Sequence, residues 1–280
     1  MELKKLYLKG RKSFEKSGFE CPGIEAKAIL ARSLGADPVE LYAHPQRLVD
    51  PGRGEAFKRL VGRRLRGEPL AYVTGRREFC SRPFVVTPEV LIPRPETETL
   101  AELAIETAGL MKNPRVLDLG TGSGCLAVTL FLESHGCEVF ASDISASALG
   151  VAAENARTHG ASVGFVNSDI LCCFAESSFD MIVSNPPYVS AAQYEELPGE
   201  IRHYEPSVAL LGGEDGLACI RKIASAAGGV LREGGFLLLE IGAGQAESAE
   251  RIISRNGFSD IDFKTDIAGI ERVVRATWKK

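Results

Sequence analysis

The 280-residue sequence contains no long hydrophobic run: its longest uninterrupted apolar stretch is Ile170–Ala175, against the roughly 18 residues that a membrane span needs. No transmembrane helix is therefore predicted. An apolar segment is also missing ahead of Gly10, where Leu3, Lys4, Lys5 and Leu6 alternate, so the sequence predicts no cleavable secretory signal and a cytoplasmic protein. The seven cysteines include no Cys-x-x-Cys pair, and the neighbours Cys172 and Cys173 cannot easily form a relaxed disulfide. Four scattered histidines, His44, His135, His159 and His203, offer no metal-ligand spacing. Neither a disulfide framework nor a metal site is expected. A Gly-Lys-Ser/Thr phosphate loop is absent as well.

What is present is an ordinary globular composition, 45% hydrophobic and 25% charged, with a formal net charge of -4. That total conceals a division. Residues 1–78 carry 17 Lys+Arg against 10 Asp+Glu, net +7, whereas the remainder carries 16 against 27, net -11. Two modules with different partners are implied.

The basic front reads as helices. Ala26, Leu30, Ala31 and Leu34 recur at helical spacing and stop at Gly35, a favourable left-handed cap. Asp37-Pro38-Val39-Glu40 carries a capping signature, and Phe57, Leu60, Val61 and Leu65 form another apolar stripe among Lys58, Arg59, Arg63, Arg64 and Arg66. Residues 1–78 are thus expected to form a small basic helical domain. Residues 79–92 are expected to form a β-hairpin connector, with Phe84-Val85-Val86 and Val90-Leu91-Ile92 flanking Thr87-Pro88-Glu89. From residue 93 to 280, buried strands alternate with helices: Arg115–Leu119, Glu138–Ser142, Val163–Asn167, Phe179–Ser184 and Gly235–Glu240 are spaced for a parallel sheet. Ser259–Phe263 and Arg272–Trp278 follow with too short a link for a helix and are expected to pair antiparallel.

Four strand ends carry chemistry. Val116-Leu117-Asp118-Leu119 runs into Gly120-Thr121-Gly122-Ser123-Gly124, whose glycines allow a sharp turn and close approach to a ligand. A dinucleotide fingerprint would place a third glycine or alanine where Cys125 stands. Asp143 closes the second strand, at the offset where ribose hydroxyls are bound, with Ser145 available to cap the next helix instead. Asp169 follows the third strand, where a carboxylate could accept from an adenine amine. The most specific signal is Asn185-Pro186-Pro187-Tyr188 after the apolar strand Phe179–Ser184. Two prolines fix the backbone and lack N–H groups, so local carbonyls and the Asn185 oxygen form a rigid acceptor cradle for a planar –NH2 group, against which Tyr188 can stack.

These motifs resemble class I S-adenosylmethionine-dependent methyltransferases that act on planar nitrogen. Gly67-Glu68-Pro69-Leu70-Ala71-Tyr72-Val73-Thr74-Gly75, Glu78-Phe79, Leu91-Ile92-Pro93-Arg94-Pro95-Glu96-Thr97-Glu98, Tyr204-Glu205-Pro206 and Gly212-Gly213-Glu214-Asp215-Gly216-Leu217 narrow the resemblance to the HemK/PrmC family over residues 60–280. The resemblance implies an α/β fold, Rossmann-like with a mostly parallel seven-stranded sheet, behind an N-terminal helical bundle and a hairpin. It implies S-adenosylmethionine as methyl donor, S-adenosylhomocysteine as product and no metal. The implied donor-binding residues are Gly120, Thr121, Gly122, Ser123, Gly124, Asp143, Asp169 and Asn185, with Ile170 where some members carry an aromatic. Asn185, Pro186, Pro187 and Tyr188 would hold the substrate amide, Asn185 and Tyr188 catalytically. The implied partner is a peptide chain release factor, methylated on the glutamine of its Gly-Gly-Gln segment.

Two other substrates fit the same chemistry: the exocyclic amine of adenine in nucleic acid, and a glutamine of a ribosomal protein. The net -11 of the module with the strand-end motifs, and an aromatic content of only 7%, argue against direct nucleic-acid binding.

Overall fold

The computed structural model describes residues 1–35 and 39–279, with Glu40 and Leu41 in backbone only; the capping signature at Asp37-Pro38 lies outside the described residues. Helices α1 (Leu3–Lys16), α2 (Pro22–Leu34), α3 (Glu40–Ala43), α4 (Pro51–Leu65) and α5 (Leu70–Thr74) come first. The hairpin β1 (Arg76–Phe79) and β2 (Arg82–Val85) leads to α6 (Thr97–Ala108), β3 (Arg115–Leu119), α7 (Cys125–Glu133), β4 (Glu138–Asp143), α8 (Ala146–Thr158), β5 (Val163–Asn167) and β6 (Phe179–Ser184). Short helices α9 (Ala191–Glu196) and α10 (Gly199–Tyr204), then α11 (Ala218–Val230), β7 (Leu231–Glu240), α12 (Ala246–Arg255), β8 (Phe258–Thr265) and β9 (Glu271–Trp278) complete the chain.

The chain divides into two compact units. One comprises Met1–Arg76 with Pro198–Tyr204, the other Arg77–Leu197 with Glu205–Lys280. In the helical unit, Leu3, Leu6, Phe14, Ala26, Ile29, Phe57 and Val61 are buried together. Gly35 takes the left-handed cap its position predicts, with φ 61°. Asp50 caps α4 by accepting from the N–H groups of Gly52 and Arg53. The segment Pro198–Tyr204 is held within this unit by Arg64, which pairs with Glu25 at 2.9 Å and with Glu200 at 2.7 Å. Tyr204 adds a hydrogen bond from its hydroxyl to the Arg66 carbonyl.

The larger unit is built on a seven-stranded sheet of order β5-β4-β3-β6-β7-β9-β8. Five strands are parallel and only β9 and its neighbours run antiparallel, as the short β8–β9 link requires. Apolar clusters cover both faces, α6 and α7 contributing to one and α11 and α12 to the other. Order reverses between β3 and β6, so the carboxyl ends of β3, β4 and β6 open on a common crevice.

The hairpin differs from its expected register. Cys80 and Ser81 take positive φ angles of 46° and 61°, the tight two-residue turn that matches strand twist. The strands therefore lie at Arg76–Phe79 and Arg82–Val85, and Val86, Val90 and Ile92 are buried outside these strands. Apolar β-branched residues here mark burial in a loop, not a ladder.

Candidate functional site

The glycine loop leaves β3 pinned to the end of β4: the N–H groups of Gly120 and Thr121 both donate to the Ser142 carbonyl, at 2.8 and 2.9 Å. Gly120, Gly122 and Gly124 all have positive φ. Gly124 is the tightest, since a Cβ there would lie 2.9 Å from the Ala152 Cβ, so any side chain would push α7 from α8. Buried Asn155 ties the region together, exchanging hydrogen bonds with the Val85 backbone and donating to the Ser123 carbonyl.

Asp143 accepts from Gly122 N–H and Ser145 N–H, both at 2.9 Å. Ser145, not Asp143, caps α8 through its side chain. Two backbone donors fix the carboxylate while leaving it lone pairs for a ligand. Asp118 behaves differently. It is buried, accepts from the Thr121 hydroxyl at 2.6 Å and Ala127 N–H at 3.1 Å, and desolvation pushes its pKa up to about 7. Beyond β5, Ser168 N–H donates to the Asp143 carbonyl, Asp169 is exposed and Ile170 adopts φ 52°, a conformation β-branched residues rarely take.

The end of β6 is joined to that of β3 by Ser184, whose hydroxyl donates to the Leu119 carbonyl at 2.6 Å. Asn185 follows, its Nδ2 donating to the Thr97 hydroxyl at 3.0 Å. With the nitrogen so engaged, Oδ1 is the end left to accept. The following loop is braced from below. Val189 N–H donates to the Leu210 carbonyl, Gly212 N–H to that of Val189, and Gln245 Nε2 to that of Tyr188. A Cβ on Gly212 would lie 2.6 Å from the Pro187 carbonyl, so backbone approaches backbone there. Buried Glu205 accepts from Ile92 N–H and pairs with Arg94 at 2.5 Å, fixing the segment ahead of Thr97.

A cavity of about 320 Å³ joins the four strand ends, lined by Gly120, Thr121, Gly122, Ser123, Asp143, Asp169, Asn185, Pro186 and Pro187 together with Glu89, Arg94, Asp118 and Lys222. Gly124 stands behind it, packed on Ala152. Tyr188 does not line it: its hydroxyl donates to Glu240 at 3.0 Å, and burial beside that carboxylate raises the phenol pKa, keeping it protonated. Thr97 stood inside the Leu91–Glu98 motif without a role of its own and Glu240 stood in no motif, because their partners lie 88 and 52 residues away. Among the described residues no His/Cys/Asp/Glu group could hold a metal ion, and no helix is long and apolar enough to cross a membrane.

Residues 97–199 match the methyltransferase small domain and residues 5–75 the PrmC N-terminal domain. The release factor glutamine methyltransferase of Geobacter sulfurreducens is 42% identical, over 92% of this chain and 90% of its own length. That of Neisseria gonorrhoeae is 44% identical, over 92% and 94%. The fold is shared with a ribosomal protein L11 methylase of Lactobacillus delbrueckii subsp. bulgaricus, at TM-score 0.50 and 24% identity over 67% of this chain and 81% of the other. The chain belongs to the family of release factor glutamine methyltransferases.

Proposed function

We propose that the protein methylates the side-chain amide nitrogen of a glutamine, the one in the Gly-Gly-Gln segment of peptide chain release factors, with S-adenosylmethionine as donor. The cavity suits that donor: the carboxyl groups of Glu89, Asp143 and Asp169 are among its lining and would complement a ligand with a positive charge and ribose hydroxyls. When bound, the donor supplies a methyl group on a cationic sulfur. Asp143 is assigned to the ribose hydroxyls, Asp169 and Ile170 to the adenine end, and Gly120–Gly124 to the donor's close approach.

The observation that carries the reading is the orientation of Asn185. Its nitrogen is held by Thr97, so its oxygen and the Pro186 carbonyl serve as paired acceptors for a planar –NH2. An amide nitrogen is a poor nucleophile because its lone pair is delocalised into the carbonyl. Acceptors on both N–H bonds align that nitrogen and stabilise the positive charge it gains as the methyl arrives. Tyr188, anchored to Glu240, fixes the wall of the loop, and the helical unit is assigned to docking the protein substrate.

The test is mass spectrometry of purified release factor after incubation with the enzyme and S-adenosylmethionine. Addition of one methyl group at the Gly-Gly-Gln glutamine is expected. Methyl incorporation into duplex DNA or RNA, with release factor unmodified, would overturn the substrate assignment.

A further inference from the structure

Among the described residues that line the cavity, only Arg94 and Lys222 are cationic. They stand on different sides of it. Lys222 lies on α11 beside Ile223, which packs in the apolar cluster that Ile170 joins, the residue assigned to the adenine end. Arg94 lies one turn ahead of Thr97: its carbonyl accepts from Thr97 N–H at 3.2 Å, and the Thr97 hydroxyl accepts from Asn185 Nδ2. Arg94 therefore belongs to the side of the cavity where the methyl group is transferred.

Its guanidinium is held from behind. Nη2 donates to Oε1 of Glu205 at 2.5 Å, and Oε2 of the same carboxylate accepts from Ile92 N–H at 3.1 Å. Glu205 is only 1% exposed, whereas Arg94 is 27% exposed, so the carboxylate is sealed while the arginine keeps an open side. Nε and Nη1 of Arg94 have no partner among the described residues. A guanidinium is a planar fork of five donors. Fixed by one of them and uncommitted at the others, it is preorganised for a second planar oxyanion.

We propose that Arg94 binds the α-carboxylate of the methyl donor, with Glu205 as the positioning residue that fixes the guanidinium. The inference rests on the donor reading above. S-adenosylmethionine carries two positive groups, a sulfonium and an ammonium, and a single negative one. Acidic walls complement the first two and the ribose hydroxyls, but they repel the carboxylate unless a cation meets it. That carboxylate belongs to the amino-acid chain beyond sulfur, away from the adenine end and Lys222, and so falls to Arg94. Glu205 also neutralises Arg94 in the absence of a ligand, which allows a cation to stand in a half-dry cavity.

Calorimetry on the full-length enzyme tests this with two ligands, S-adenosylhomocysteine and its decarboxylated counterpart, which lacks only that group. The wild type is expected to bind the first about 10- to 100-fold more tightly, as for a charged hydrogen-bonded pair. In Arg94→Gln the two affinities should become nearly equal, through loss on S-adenosylhomocysteine alone, whereas Lys222→Gln should keep the wild-type ratio. Glu205→Gln should lower the ratio in part, with affinity for the decarboxylated ligand unchanged. Arg94→Gln strands a buried carboxylate; if it is recovered unfolded, Arg94→Gln combined with Glu205→Gln removes both charges and decides in its place. If neither folds, a wild-type preference that survives Lys222→Gln supports the assignment. Equal affinities in the wild type, a wild-type ratio in either folded Arg94 variant, or a ratio lost in Lys222→Gln would overturn it. Failure of the wild type to bind S-adenosylhomocysteine at all would instead refute the donor reading.

Discussion

Asp118 and Asp143 end adjacent strands yet are built for different tasks. Asp143 is half-exposed, oriented by two backbone N–H groups, with acceptor capacity remaining at the cavity. Replacement by alanine removes those ligand contacts and unties Gly122, so S-adenosylmethionine affinity should fall about 10- to 100-fold by calorimetry, as for charged hydrogen bonds. Unchanged affinity would remove Asp143 from the donor site. Asp118 is sealed inside, and its folded pKa of about 7 lies above the unfolded value of about 4. The folded state therefore holds a proton that the unfolded state has lost. Its stabilising contribution is complete below about pH 4 and disappears as pH rises through about 7. Thermal melts of the wild type should weaken between pH 5 and pH 8, and Asp118→Asn should reduce that loss by on the order of 2 kcal/mol. An identical pH profile in the variant would show that Asp118 is ionised throughout.

At the level of elements, Pro198–Tyr204 presents the sharpest case: both flanks belong to the sheet unit, but the segment itself belongs to the helical one. Arg64 is the fastener, only 10% exposed and shared between Glu25 and Glu200, with its guanidinium 4.8 Å from the Phe19 ring centroid. Arg64→Met would keep most of the packing while leaving Glu25 half-buried and uncompensated, costing about 2 kcal/mol. Limited trypsin digestion should then cut at Arg202 several times faster, and wild-type resistance in the variant would show that other contacts hold the segment. The sheet strands were legible in the sequence because each is a short apolar run bounded by breakers, Phe179–Ser184 most plainly. Asn185 and Asp143 were legible too, as polar residues placed at strand ends. The hairpin register was not, since it depends on Cys80 and Ser81 accepting left-handed backbone, a choice no local pattern announces. The roles of Thr97 and Glu205, both inside quoted motifs, and of Glu240, in none, were hidden for a related reason: each acquires its meaning from partners far along the chain.

For the whole molecule, the division of charge along the sequence changes its address once side chains are in place. Arg63 and Arg64, which stood out as basic residues, are engaged internally with Glu68, Glu25 and Glu200. Arg59 and Arg66 remain exposed, and a further row of exposed lysines lies on α1. Lys5, Lys9, Lys12 and Lys16 are exposed and spaced by four, three and four residues, which gathers them on one helix face opposite buried Leu3, Leu6, Gly10 and Phe14. Lys5 pairs with Glu2, whereas Lys9, Lys12 and Lys16 form no ion pair among the described residues. A stripe of this kind acts at long range, raising the encounter rate with an acidic protein surface and losing that effect as salt screens it. Lys9→Glu, Lys12→Glu and Lys16→Glu combined should raise KM for release factor on the order of tenfold at low salt. The variant should leave kcat and donor affinity unchanged and lose most of the salt dependence of KM, because the reacting groups sit in the other unit. Initial rates across a salt series would decide it: a KM that responds to salt as in the wild type would mean that α1 is simply solvated and that the substrate docks elsewhere.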